Sequence, residues 1–264
     1  MQGLHTIRFL IMVCRIPIKI GVILAAGRGT RIFNDQHQAA MPKAMLDIGG
    51  MPILERAILM LKRIGIKKIY IIVNYKKDVI INYIKNENFF NTTIVFVKQK
   101  KLNGTANAIL LLKKHIKEPF LVILGDCVFN IYSWSPLFLL QKKYKPIAIQ
   151  GVTHCGNKKT LKGTNEVFLN GNIIKKIIEK PKRPTSKMTG TGIYLFTSEI
   201  FDYIEKTKIN PIRNELEITD TIDAVAKIKR AYAWFIEGKV FNINTNKDLN
   251  LARRYSIVHK VDIT

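Results

Sequence analysis

Acid is scarce in this chain: 19 aspartates and glutamates stand against 43 lysines and arginines in 264 residues, a formal net charge of +24. Such a balance invites nucleic acid, an anionic membrane or a phosphorylated ligand. The lysines are scattered, however, with brief runs such as those at 98–101 (broken by Gln99) and 180–183. Neither zinc-finger spacing nor an aromatic RNP-like stretch accompanies them, so nucleic acid is not expected as a partner and the lysines read as a solvated surface. Cysteine is scarcer still. Cys14, Cys127 and Cys155 form no C-x-x-C pair, which argues against a disulfide framework and fits a reduced, cytoplasmic setting. Long apolar runs are missing too. The longest near the start, FLIMVC at 9–14, is one strand's worth, far short of the roughly 20 residues that span a membrane.

What is present is a long enough chain to bury a sizeable core, 47% hydrophobic. Residues 1–19 are basic and apolar but lack a small-residue cleavage site, so they make a poor signal peptide. They read as an N-terminal extension ahead of a domain at 20–264, with Met12 an alternative start. Downstream, strand-like stretches at 20–24, 69–73, 93–97 and 120–124 alternate with helical ones at 51–64, 79–85 and 105–115. That rhythm predicts a mostly parallel sheet with helices on both faces. After Pro146 the pattern changes to strands at 147–152, 165–169, 173–178 and 192–196, then helices at 198–206 and 220–228. The fold class expected is α/β, three layers, with a small antiparallel lobe added by the second half.

Ligands in such sheets bind beyond the carboxyl ends of the strands. There the first strand stops in Gly27-Arg-Gly-Thr-Arg31. Glycines let backbone N–H groups wrap a polyphosphate, and arginine supplies bidentate charge. Ile32 stands where the dinucleotide fingerprint wants its third glycine, and no Gly-Lys-Ser/Thr ends the loop as in a Walker motif. Taken alone, the stretch is equally an ordinary tight turn.

The whole string is more specific. LAAGRGTR (Leu24, Ala25, Ala26, Gly27, Arg28, Gly29, Thr30, Arg31) followed by Pro42-Lys43 resembles the signature of sugar-1-phosphate nucleotidyltransferases. The resemblance continues through Gln99 to Gly104-Thr105, Leu124-Gly-Asp126, Gly163, Glu179-Lys180-Pro181, Thr191-Gly-Ile-Tyr194, the Glu215 to Asp220 segment and Asn242-Ile-Asn-Thr245. It implies a Rossmann-like nucleotide-diphospho-sugar transferase fold. It also implies transfer of a nucleoside monophosphate from an NTP to a sugar 1-phosphate, most simply a hexose 1-phosphate, with Mg²⁺ as cofactor and release of pyrophosphate. A homo-oligomer stays open.

In-line attack at an α-phosphorus needs positioning and charge neutralisation more than proton transfer, so no catalytic His or Ser is required. By the resemblance, Arg31 would hold the leaving phosphates and the Gly27–Gly29 backbone would cradle them. Lys43 would bridge the triphosphate and the sugar phosphate. Asp126 would hold Mg²⁺, although at a strand end it also suits a helix N-cap. Gln99, Gly104 and Thr105 would read the base. Gly163, Glu179, Lys180, Thr191 and Tyr194 would wall the sugar phosphate, with Lys180 on the phosphate and Glu179 on sugar hydroxyls.

Gln99 precedes Gly104 by five positions, as in relatives that use UTP or dTTP; its amide turned over would suit CTP. Many relatives carry a second metal-binding aspartate where Asn242 stands, with Asn244 the alternative. Residues 34–38 lengthen the stretch before Lys43. Glu215 and Glu217 read as capping or pairing residues, His154-Cys155 as loop, Cys127 as packing, and Tyr232 and Trp234 as core strand residues. No appended β-helix is expected within 264 residues. A cytidylyltransferase acting on inositol or choline phosphate is the alternative activity. A non-catalytic regulatory paralogue is a third reading, disfavoured because Arg31, Lys43, Asp126 and Lys180 are all present.

Overall fold

The structure is a computed structural model that describes residues 18–27, 41–87, 89 and 91–258. Four parallel strands, β1 (Ile20–Leu24), β2 (Lys68–Val73), β3 (Thr93–Lys98) and β4 (Phe120–Leu124), lie in the order β3-β2-β1-β4. β1, β2 and β4 are nearly continuous aliphatic runs, as strands covered on both faces require. Alternation sends Val22 and Val122 into one core and Ile23 and Ile123 into the other. Helix α1 (Ile53–Arg63) presents Leu54, Ala57, Ile58 and Leu61, a stripe of helical period, to the second core. Each fully buried Leu or Ile there is worth about 1.5–3 kcal/mol. Gly65, at φ +86°, lets the chain turn into β2 behind that helix. Helix α2 (Lys77–Asn86) packs on the same face through Ile80 and Ile84.

Helix α3 (Thr105–Leu110) covers the opposite face and is shorter than its expected span. Beyond Leu110 the bonds run three residues back, from Lys113 N to Leu110 O (3.0 Å) and from His115 N to Leu112 O (2.8 Å). The chain tightens into turns that bury Leu112 and Ile116.

The second half does not build a separate layer. It continues the same sheet through β6 (Ala148–His154), β7 (Asn165–Asn170), β8 (Ile173–Glu179), β9 (Met188–Phe196) and β10 (Ala231–Phe235), giving nine strands ordered β3-β2-β1-β4-β9-β6-β10-β8-β7. β9 is antiparallel to both β4 and β6, and β8 to both β10 and β7; the other seven strands of this sheet share one direction. β7 and β8 form a hairpin at Gly171, whose φ of +56° favours glycine. Trp234 on β10 is core, and Tyr232 stacks on Tyr144 at 4.9 Å. Helix α4 (Ser135–Tyr144) packs on the α1 face, and the short α5 (Lys158–Gly163) precedes β7. Helices α6 (Ile200–Lys206) and α7 (Ile218–Lys227) cover the α3 face.

A two-stranded antiparallel ribbon stands apart: β5 (Cys127–Ile131) with β11 (Gly238–Asn242). Helix α8 (Asn246–Val258) packs near it through Leu249 and Ala252 around Ile243. Among the described residues no helix is long and apolar enough to cross a membrane.

Candidate active site

The strand order reverses at β1 and β4, since β1 leads outward to β2 and β3 while β4 lies on its other side. A cleft of about 350 Å³ opens beyond the carboxyl ends of these two strands. Gly125 lets the strand ends meet: its N–H donates to Leu24 O at 2.9 Å, and a Cβ there would lie 2.7 Å from the same oxygen. A side chain at 125 would spread the two strands. Leu24, Ala25, Ala26 and Gly27 form one wall, Lys43 and Asp126 another, and Gln99, Gly104 and Thr105 a third. Arg28, Gly29, Thr30, Arg31 and the 34–38 stretch lie outside the described residues, as do residues 1–17 of the N-terminal extension.

The base-segment wall is braced from far along the chain. Gly104 has φ +114°, and a Cβ on it would lie 2.2 Å from Leu216 O. Leu216 N donates to Asn103 O, and Ala106 N to Leu216 O, both at 2.9 Å. Gln99 is buried, and its Nε2 donates to Gly104 O at 3.3 Å. Only the NH₂ end of an amide can meet a carbonyl oxygen, so Oε1 is the end left to accept.

Lys43 lies at the cleft in a 3-10 turn, Lys43–Met45, with Nζ 2.7 Å from Asp126 Oδ2 and 3.3 Å from Asn244 Oδ1. Asn244, not Asn242, therefore faces Asp126. Asn242 ends β11 opposite Cys127, and its amide oxygen is buried without a partner among the described residues. Between them Ile243 is buried, and its N–H donates to Asp126 O at 3.0 Å. A reciprocal cap at the α8 start then fixes Asn244. Asp248 Oδ2 accepts from Asn244 N (3.1 Å) and Thr245 N (2.8 Å), and Thr245 Oγ1 accepts from Asp248 N (3.2 Å). Two fixed oxygens already hold one cation here, which is the donor chemistry a hard divalent ion needs. No group of three or more His, Cys, Asp or Glu gathers for a metal among the described residues.

The expected sugar-phosphate wall lies beside the cleft lining rather than in it. Thr191 is buried and donates to Gly151 O at 2.9 Å, a bond between strands. Tyr194 is a buried core residue stacked on Phe196, its hydroxyl pushed up by burial and then by Glu179. Gly163 has open space where a Cβ would stand. Lys180 sits at φ +45° and donates its N–H to Thr164 O at 2.8 Å. Glu179 accepts from Thr219 Oγ1 at 3.2 Å, and its carboxyl is pushed up to about 7, first by burial and then by Glu217.

Residues outside the expected set complete the cleft. Arg213 and Glu215 line it, together with Leu102 and Ala108. Arg213 Nη2 meets Glu215 Oε2 at 3.0 Å and its Nε meets Glu217 Oε1 at 3.1 Å. Glu217 is buried, and its Oε2 accepts from Thr105 Oγ1 at 3.0 Å. The spacing Arg213-x-Glu215-x-Glu217 was the available signal: an arginine closely followed by two carboxylates, here with Arg213 in a turn over 211–214. Cys127 is buried with its thiol pushed up by burial, so packing is its role.

An open α/β sheet with a glycine-bearing strand end and a held cation at its switch point is the arrangement in which such folds receive phosphorylated ligands. The comparisons agree with that class. A family model for nucleotidyl transferases matches residues 20–241. The bifunctional protein GlmU of Methanococcus aeolicus is 38% identical over 207 residues, 78% of this chain and 46% of that protein. UTP–glucose-1-phosphate uridylyltransferase AglF of Haloferax volcanii is 31% identical over 79% of this chain and 84% of its own length. A UDP-glucose pyrophosphorylase solved with UDP-glucose shares the fold, with a TM-score of 0.82, 24% identity, and coverage of 92% of this chain and 99% of that one. The chain belongs to the nucleotidyl transferase family. It spans about half the length of the GlmU proteins it matches.

Proposed function

We propose that this chain transfers a nucleoside monophosphate from UTP or dTTP to a sugar 1-phosphate, a hexose 1-phosphate foremost, giving an NDP-sugar and pyrophosphate. The observation that carries this reading is the seat in which Lys43 and Asp126, both lining the glycine-walled cleft, meet Asn244. In the reaction an oxygen of the acceptor phosphate forms a bond to the α-phosphorus as the bond to pyrophosphate breaks on the opposite side. Lys43 reduces repulsion between the two anions, and the Gly27 backbone lets the triphosphate approach closely. Arg213, aimed by Glu215 and Glu217, adds a fixed guanidinium to the same cleft. Arg31 joins them by resemblance alone. Asp126 and Asn244 would hold Mg²⁺, which when bound supplies charge neutralisation at the phosphates.

The base preference rests on Gln99. With Nε2 given to Gly104 O, its Oε1 suits the N3–H of uracil or thymine; cytosine offers an acceptor there. That favours the sugar nucleotide reading over the cytidylyltransferase one. Glu179 and Lys180 would meet the acceptor from β8. The two described cysteines are free, consistent with a reducing cytoplasm. The test is pyrophosphate release over a grid of the common NTPs and sugar 1-phosphates with Mg²⁺. Turnover with UTP or dTTP and a hexose 1-phosphate is expected. Turnover confined to CTP with a non-sugar phosphate, or none at all, would overturn the proposal.

A further inference from the structure

The two oxygens assigned to the divalent cation also hold an ammonium. Lys43 Nζ reaches both of them, 2.7 Å to Asp126 Oδ2 and 3.3 Å to Asn244 Oδ1. The lysine side chain is 12% exposed while the carboxylate is 32% exposed, so the cation is withdrawn further from water than the group holding it. The seat has a fixed main chain: Asp126 is anchored by its carbonyl accepting from Ile243 N, and Asn244 by its N–H donating to Asp248. Lysine, by contrast, is a point charge on a four-carbon stem. When a second cation arrives, the stem is what moves. An ammonium and a divalent ion cannot share these oxygens without close like-charge contact. Lys43 also lines the cleft, so a bound triphosphate offers it another set of oxygens.

We propose that Lys43 is an exchangeable occupant of the divalent-cation seat: in the nucleotide-free protein its ammonium keeps free metal out, and metal enters with the nucleotide that draws Lys43 away. The inference rests on the assignment of Asp126 and Asn244 as metal ligands made above. It makes metal and nucleotide binding mutually reinforcing, since each favours the state in which Lys43 has left the seat.

The probe is Mn²⁺ in place of Mg²⁺, with free ion counted by electron paramagnetic resonance and no acceptor sugar present. Without nucleotide, wild-type protein should bind Mn²⁺ weakly, and Lys43→Met at least tenfold more tightly. Lys43→Gln, neutral but still polar, should also gain, which guards against misfolding of either variant alone. Adding Asp126→Asn to Lys43→Met should remove the gain. With UTP, and after correction for Mn²⁺ held by UTP in solution, wild type should tighten far more than Lys43→Met does. Equal nucleotide-free affinity in wild type and both lysine variants would overturn the exchange, as would a gain that survives Asp126→Asn. Failure of every protein to bind Mn²⁺ even with UTP would overturn the metal assignment and the exchange with it. Mn²⁺ binding with UTP but no effect of Lys43 would sink the exchange alone.

Discussion

Glu179 gives the protein a measurable pH dependence. Its carboxyl titrates at about 7 in the folded chain rather than at the ordinary 4.5, raised by burial and by Glu217, with Lys180, Thr219 and Arg213 opposing. The folded state therefore holds a proton between these values that the unfolded chain has lost. Stability on this account falls as pH rises from 4.5 to about 7 and is level beyond. At about 1.4 kcal/mol per pH unit, that span corresponds to at most about 3 kcal/mol. Glu179→Gln removes the titration while keeping an oxygen to accept from Thr219. Urea unfolding followed by tryptophan fluorescence should then find variant and wild type alike at pH 4.5. At pH 8 the variant should be more stable, by up to about 3 kcal/mol, a rise of roughly 2–4 °C in Tm for each kcal/mol. Parallel stability curves for the two proteins between pH 4.5 and 8 would refute the reasoning.

Three further outcomes are expected. Gly104→Ala should lose roughly 2–4 kcal/mol in urea unfolding, from backbone strain and the two hydrogen bonds through Leu216, and should weaken nucleotide binding; an unaltered midpoint would mean the 213–217 segment yields freely. Gln99→Ala should blunt discrimination between UTP or dTTP and the purine triphosphates in kcat/KM, with turnover less changed; an unchanged preference would remove Gln99 from base reading. Asn244→Asp should lower the Mg²⁺ concentration for half-maximal rate several-fold, whereas Asn242→Asp should chiefly destabilise by burying a carboxylate without a partner; a Mg²⁺ titration that responds at 242 and not at 244 would reverse the assignment.

The apolar runs of β1, β2 and β4 declared themselves because each is buried on both faces, and a strand of that kind needs no context. The run 120–124 coincides with β4 to the residue. The ribbon strand β5 was missed because Cys127 to Ile131 pairs with residues more than a hundred positions away and shows no alternation of its own. The same distance hid two residues of the cleft lining. Arg213 and Glu215 carry no local signal of facing Gln99; only Leu216 bonding across to Asn103 and Ala106 brings them there. Asn242 and Asn244 differ by two positions, and motif order alone does not separate them. In the structure Asn244, held by the Asp248 cap, reaches Lys43, while Asn242 ends β11 opposite Cys127.

The strand that joins the halves arrives late in synthesis. Until residues 188–196 emerge, β4 and β6 have no neighbour to share, since each pairs with β9 and not with the other. A growing chain can complete the four-stranded parallel half, but it carries an open edge at β4, where β9 has yet to dock. That edge is apolar along its whole length, Phe120 to Leu124. The interval between making β4 and making β9, rather than the stability of the finished sheet, is when this protein is most exposed to pairing with another copy of itself.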